Sequence, residues 1–159
     1  MKQQWRRLDG RTIKGPIHEE VRHVLMKEKT EGHQLKVCIG TDSQRKGGEI
    51  EFARAIVFIR KGKGGFMYIN NEIIKRKMSI RQRMLEEVAR SIDIAFALCD
   101  LLIAFNVHME VHADINSDPK FKSHDALKEA MGCIMGMGFV FKAKPHAFAS
   151  SSCANKVVQ

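Results

Sequence analysis

The chain has 159 residues, 44% hydrophobic and 28% charged, with 27 Lys and Arg against 18 Asp and Glu and a formal net charge of +9. This length is the usual content of one domain, and no run approaches the roughly 18 apolar residues of a membrane span. The basic N-terminus has no following apolar core of the secretory kind, so the expectation is a cytosolic, membrane-independent protein. Basic residues cluster at Arg60–Lys63, Lys75–Lys77, Arg81 with Arg83, and Lys142–Lys144, a distribution that points to nucleic-acid phosphates as partner. Cys38, Cys99, Cys133 and Cys153 form no CxxC pair and sit beside apolar or small residues. They read as reduced thiols, in keeping with a reducing compartment.

Residues 1–15 form a polar, basic segment, and one domain is expected over 16–159. Ile17, Val21, Val24 and Leu25 have helical spacing, with Glu19 and Glu20 in the first turn and Lys27 and Lys29 in the last, the charge order a helix dipole favours. Gly32 closes that helix. Leu35–Asp42 is a short apolar run with a small, polar end, and reads as a strand. After a bend at Gln44–Gly48, Ile50–Arg60 is rich in β-branched and aromatic residues. Lys61–Gly65 is a glycine turn, and Phe66–Ile74 is a third strand, completing an antiparallel meander.

The period then changes. Ser79 caps a long helix to about Leu102, with Ile80, Met84, Val88, Ile92, Ala95 and Leu98 as its apolar stripe. A strand over Val107–Ile115, a loop over Asn116–Ser123 and a helix over His124–Met137 follow. Gly132 and Gly136, four apart, would let that helix lie close on a sheet. Phe139–Ala143 is a fifth strand, and a final helix contains Ala149–Val158. The expected fold is therefore α/β. A mixed five-stranded sheet, the meander plus two strands parallel to its first, is flanked by helices, with right-handed crossovers and an extra N-terminal helix. This is the element order of the ribonuclease H fold.

Asp42 ends the first strand and Asp114 the fourth, and sites in open α/β sheets form at the carboxyl ends of parallel strands. Two carboxylates held close need a cation or a proton between them, and hard oxygen donors suit Mg²⁺ or Mn²⁺. The alternative is that both are strand-end turn residues, a common place for Asp. On the long helix Glu86 points away from the apolar stripe while Glu87 falls at its edge, so Glu87 is the candidate third ligand. Alternation also puts His108, Glu110, His112 and Asp114 on one face, a set of zinc- or iron-binding types. Same-face neighbours lie roughly 7 Å apart along a strand, too far for one strand to supply three ligands readily. Ser150–Ser152 lack a nucleophile elbow. Asn155 is the polar candidate near the C-terminus.

The segments Ile39–Gln44, Leu85–Ser91, His112–Asn116 and Lys144–Ser150, in this order and spacing, resemble the bacterial YkuK-like family, a former domain of unknown function classed as ribonuclease H-like. The resemblance spans roughly residues 15–158. It implies an acidic cluster in which Asp42, Glu87 and Asp114 match the usual Asp, Glu and Asp by position. At the fourth place this chain has Asn155, a neutral oxygen donor, which weakens the hold on a second ion. The activity expected from the carboxylates and the basic clusters is a Mg²⁺- or Mn²⁺-dependent nuclease on RNA, DNA or a hybrid. Thr41, Ser43, Gln44, Arg45, Lys46, Asn116 and Lys144 are the candidate substrate contacts, Lys63 and Lys77 are further phosphate grips, and strong salt dependence is expected. The alternatives are a non-catalytic nucleic-acid- or protein-binding module on the same fold, and a histidine-based metal site.

Overall fold

A computed structural model describes residues 4–113, 128–129, 132, 135–136, 139–143, 146–154 and 157. In chain order the elements are β1 (Arg6–Arg7), α1 (Ile17–Thr30), β2 (Leu35–Lys46), β3 (Glu49–Arg60), β4 (Gly65–Ile74), α2 (Ile80–Ala104), β5 (His108–Ala113), β6 (Val140–Lys142) and a one-turn π-helix, Ala149–Ala154. The six strands form one mixed sheet in the order β1-β4-β3-β2-β5-β6. β2, β3 and β4 pair antiparallel, whereas β5 runs parallel to β2 and β6 parallel to β5.

The sheet has six strands where the sequence reading expects five. The extra strand comes from the polar N-terminal segment: Arg6 and Arg7 pair with Ile69 and Tyr68, and the chain turns back so that Ile13 N–H donates to the Trp5 carbonyl at 2.8 Å. Two arginines carry no apolar alternation, so only the isolated Trp5 and Ile13 hinted at this edge. The expected Gln44–Gly48 bend is also tighter. β2 continues to Lys46, paired with Glu49, leaving a two-residue hairpin loop at Gly47-Gly48. Gly47 has φ +62°, a conformation glycine adopts without steric cost.

Alternation along β2 divides its side chains between two unlike environments. Val37 and Ile39 join Ile56 and Phe58 of β3, Tyr68 of β4 and Val111 of β5 beneath Val21, Val24 and Leu25 of α1 and Val88, Ala95, Leu98 and Leu102 of α2. This is the main core. α2 starts where expected, because Ser79 and Gln82 form a reciprocal capping box. The opposite face carries Cys38, Ala53, Ala55 and Val57, and the π-helix residues Ala149 and Ala154 pack on it. The packing is close at Gly40, where an added Cβ would sit 2.5 Å from the Ala149 carbonyl carbon and the Ser150 nitrogen. The close approach expected at Gly132 and Gly136 is absent among the described residues, since a Cβ there meets nothing within 4 Å. No helix among the described residues is long and apolar enough to cross a membrane.

Candidate functional site at the end of β2

The C-terminal half of β2 is polar yet buried: Thr41, Asp42 and Ser43 are 1%, 6% and 7% exposed. Thr41 and Ser43 face α2. The hydroxyls of Thr41 and Ser91 lie 2.7 Å apart, and Ser43 Oγ donates to Glu87 Oε1 at 2.5 Å. Glu87 is only 4% exposed. A buried carboxylate is costly unless donors or cations compensate it, and the Ser43 hydroxyl is one such donor. Glu86, one residue earlier, instead pairs with Arg90 at 2.6 Å. Arg90 also reaches Glu72 at 3.3 Å and lies 4.1 Å over the Phe52 ring.

Asp42 belongs to the other face by alternation, in one row with Ala53 of β3 and Asn71 of β4. The next row toward the hairpin holds Gln44, Glu51 and Ile73. Asn71 Nδ2 donates to Glu51 Oε1 at 2.9 Å, and Lys46 Nζ lies 2.7 Å from Glu51 Oε2. The Asp42 and Glu51 carboxylates and the Gln44 and Asn71 amide oxygens are hard oxygen donors, the type Mg²⁺ and Mn²⁺ prefer, although Glu51 is already engaged by Asn71 Nδ2 and Lys46. Sequence reasoning missed Glu51 and Asn71. Their signal was the polar run Asn70-Asn71-Glu72 inside a strand otherwise largely apolar.

The same face also carries the histidine strand. His108, Glu110 and His112 alternate along β5, and Cys38 lies opposite Glu110. Ligand atoms of Cys38, Glu110 and His112 are all within 4.8 Å of one another. Hydrogen bonding argues for a strut rather than a metal centre. The Ala149 N–H donates to His112 Nδ1 at 3.2 Å, so a neutral imidazole carries its proton on Nε2 and gives it to Glu110 Oε1 at 3.0 Å. A metal-ligating histidine normally donates from its second nitrogen, whereas here that nitrogen accepts. Burial holds the His112 pKa below its usual value, which favours the neutral form, although the Glu110 carboxylate opposes it. Burial works to raise the Glu110 pKa, but the His112 hydrogen bond and the Lys36 charge outweigh it and leave it lowered. Burial pushes the Cys38 thiol up to about 12, which makes it a poor thiolate ligand.

The basic candidates divide between the two ends of the sheet. Arg45 donates to the Met78 carbonyl at 3.0 Å and, with Arg76, Lys77, Gly47 and Gly48, lines a hollow of about 260 Å³ beside the end of β2. Lys63 lies in the β3–β4 turn, next to Arg60, which pairs with Leu35 at the start of β2. It is therefore at the opposite end of the sheet from Asp42. β5 is described to Ala113, which pairs with Thr41. Asp114, Asn116, Lys144 and Asn155 lie outside the described residues.

A family model described as ribonuclease H-like matches residues 17–159. No curated protein is similar in sequence to this chain. A solved structure, RNase H1 from the halophilic archaeon Halobacterium salinarum NRC-1, is similar over 77% of this chain and 98% of that one, with 15% identity and a TM-score of 0.39.

Proposed function

The chain belongs to the ribonuclease H-like family, and on that premise we propose that it is a metal-dependent nuclease that hydrolyses phosphodiester bonds of RNA, DNA or a hybrid. The observation that carries this reading is the pairing of Thr41 with Ala113. In both parallel strands the next residue is an aspartate, Asp42 and Asp114. The reading assigns these two carboxylates to one Mg²⁺ or Mn²⁺, with Glu87 approaching from the α2 side around the end of β2. When bound, the ions would supply an activated water and stabilise the leaving oxygen. Ser43 orients the Glu87 carboxylate through its 2.5 Å hydrogen bond. The cations around the hollow at Arg45, Arg76 and Lys77 are suited to hold phosphates of the strand. Lys46 serves a nearer role, holding Glu51. Gln44, Asn116 and Lys144 complete the proposed contacts, while Thr41, 1% exposed with its hydroxyl on Ser91, braces β2 against α2 rather than meeting substrate. Asn155 in place of an acid favours one tightly held ion over two.

The finer assignment, to a YkuK-like protein acting in the cytosol, rests on the four short motifs and on reduced thiols. The second reading is a non-catalytic nucleic-acid-binding module, favoured by that same Asn155. One experiment separates them: calorimetric titration of Mn²⁺ and Mg²⁺ into wild type and Asp42→Asn, then cleavage assays on labelled RNA, DNA and hybrid. The nuclease reading expects cleavage that Asp42→Asn abolishes while nucleic-acid affinity survives. Wild type that binds nucleic acid with metal present but cuts none of the three substrates leaves the binding module.

A further inference from the structure

On the sheet face that carries Asp42, opposite α2, two amide oxygens are shut from water without a donor among the described residues. Asn71 is 3% exposed, and its Oδ1 meets no hydrogen-bond donor among the described residues. The same holds for Gln44 Oε1. The Asn71 amide is not free to turn over. Its Nδ2 is committed to Glu51 Oε1 at 2.9 Å, and Glu51 is itself fixed by Lys46 at 2.7 Å, so the carbonyl oxygen is the amide atom left without a partner. Buried acceptors in native proteins are nearly always paired, which makes two unpaired ones on one sheet face a mark of an unfilled role.

Placement identifies the missing donor. Asp42, Ala53 and Asn71 form one row across three strands, and Ala53 contributes only a methyl between the two polar side chains. Two strand spacings put Asp42 and Asn71 roughly 10 Å apart at the backbone. That span fits an ion with part of its water shell rather than a bare ion. Mg²⁺ gives up its waters reluctantly and is commonly held through one or two carboxylates plus water. Such a water carries two polarised O–H groups, the donors these carbonyls lack.

We propose that Asn71, oriented by Glu51 and Lys46, is a positioning residue that holds a water of the divalent cation at Asp42, with Gln44 holding a second. This rests on the reading that an ion sits at Asp42. The site thereby extends from β2 across β3 to β4, onto a face that the acidic cluster alone does not use.

The test is calorimetric titration of Mn²⁺ into the full chain as wild type, Asp42→Asn, Asn71→Leu and Asn71→Asp, with melting curves with and without Mn²⁺. Loss of an outer-shell partner typically weakens metal affinity 10- to 100-fold, so Asn71→Leu should bind Mn²⁺ about 10-fold more weakly. Asn71→Asp brings a second carboxylate against Glu51. It should melt below wild type without metal, and Mn²⁺ should raise its midpoint by more than it raises that of wild type. If Asn71→Leu does not fold, the Asn71→Asp pair of melts decides alone, and an equal Mn²⁺ shift in both proteins overturns the proposal. Affinity within twofold of wild type in folded Asn71→Leu, with binding lost in Asp42→Asn, overturns the role of Asn71 while keeping the ion at Asp42. Unchanged affinity in Asp42→Asn overturns both.

Discussion

Replacing Gly40 by alanine tests how the C-terminal turn is seated on β2. The added Cβ would lie 2.5 Å from both the Ala149 carbonyl carbon and the Ser150 nitrogen, and 2.9 Å from the Ala149 oxygen. Ordinary contact begins at 3.4 Å, so the π-helix must lift by about 0.9 Å, the difference between 3.4 and 2.5. These are backbone atoms and cannot swing aside as a side chain would. Overpacking of this kind costs about 1–3 kcal/mol. The lift also stretches the 3.2 Å bond from Ala149 N–H to His112, worth about 1 kcal/mol. Stiffening the unfolded chain by Gly→Ala returns about 0.4–1 kcal/mol. The net loss is about 1–3.6 kcal/mol, or roughly 2–14 °C of melting temperature for a chain of this size. Gly48→Ala is the control, because its Cβ meets nothing within 4 Å. Both variants are melted by circular dichroism. A Gly40→Ala midpoint within about 1 °C of wild type would refute the packing of Ala149–Ser150 on β2.

Two further predictions concern buried acids. Glu28, 3% exposed, receives Arg60 through two bonds at 2.7 and 2.8 Å and His33 at 2.5 Å. The Arg60 hydrogen bond, against the opposing effect of burial, holds its pKa below the usual 4.5. A lowered folded pKa means that this stabilisation is complete above the unfolded value and is lost as pH falls through the folded one. Glu28→Gln should therefore cost about 2 kcal/mol at pH 7, with a gap to wild type in urea titrations that narrows below pH 4.5. A gap that widens in acid would contradict the pairing. For Ser43 and Glu87, a double-mutant cycle of Ser43→Ala and Glu87→Gln should show a coupling of about 1.5–3 kcal/mol, whereas additive effects would mean that the 2.5 Å bond does not hold in solution.

The elements were legible because each had a strong local cause. The 3.6-residue apolar stripe and the Ser79 cap marked α2, and the β-branched runs marked the meander. The parallel placement of β5 against β2 followed from the crossover rule. What escaped notice depended on partners distant in sequence. The β1 edge depends on Tyr68, 61 residues away, whose hydroxyl accepts from the Arg7 guanidinium at 2.9 Å. The role of Gly40 depends on the backbone of Ala149, and that of Asn71 on Glu51. Alternation did place His108, Glu110 and His112 on one face, but only the Ala149 N–H shows which nitrogen of His112 carries the proton. Lys63 looked equivalent to Lys77 as a phosphate grip because charge runs say nothing about which end of a sheet they reach.

The division of β2 between its faces also orders the carboxylates. Ser43 turns toward α2 and binds Glu87, while Asp42 turns to the face of Ala53 and Asn71. A single ion on the Asp42 face is therefore reached by Asp42 directly, and Glu87 reaches it only around the end of the strand. If the ion sits at Asp42, removing that carboxylate removes the charge it depends on, whereas Glu87→Gln leaves Asp42 in place and keeps an oxygen near the Ser43 hydroxyl. Mn²⁺ affinity should thus fall below detection in Asp42→Asn and by about 10-fold or less in Glu87→Gln, the range of an indirect partner. Any turnover should be lost in both, because chemistry needs the second position filled as well. Titrations showing the reverse order, with Glu87→Gln abolishing binding and Asp42→Asn retaining it, would place the ion on the α2 side of the sheet.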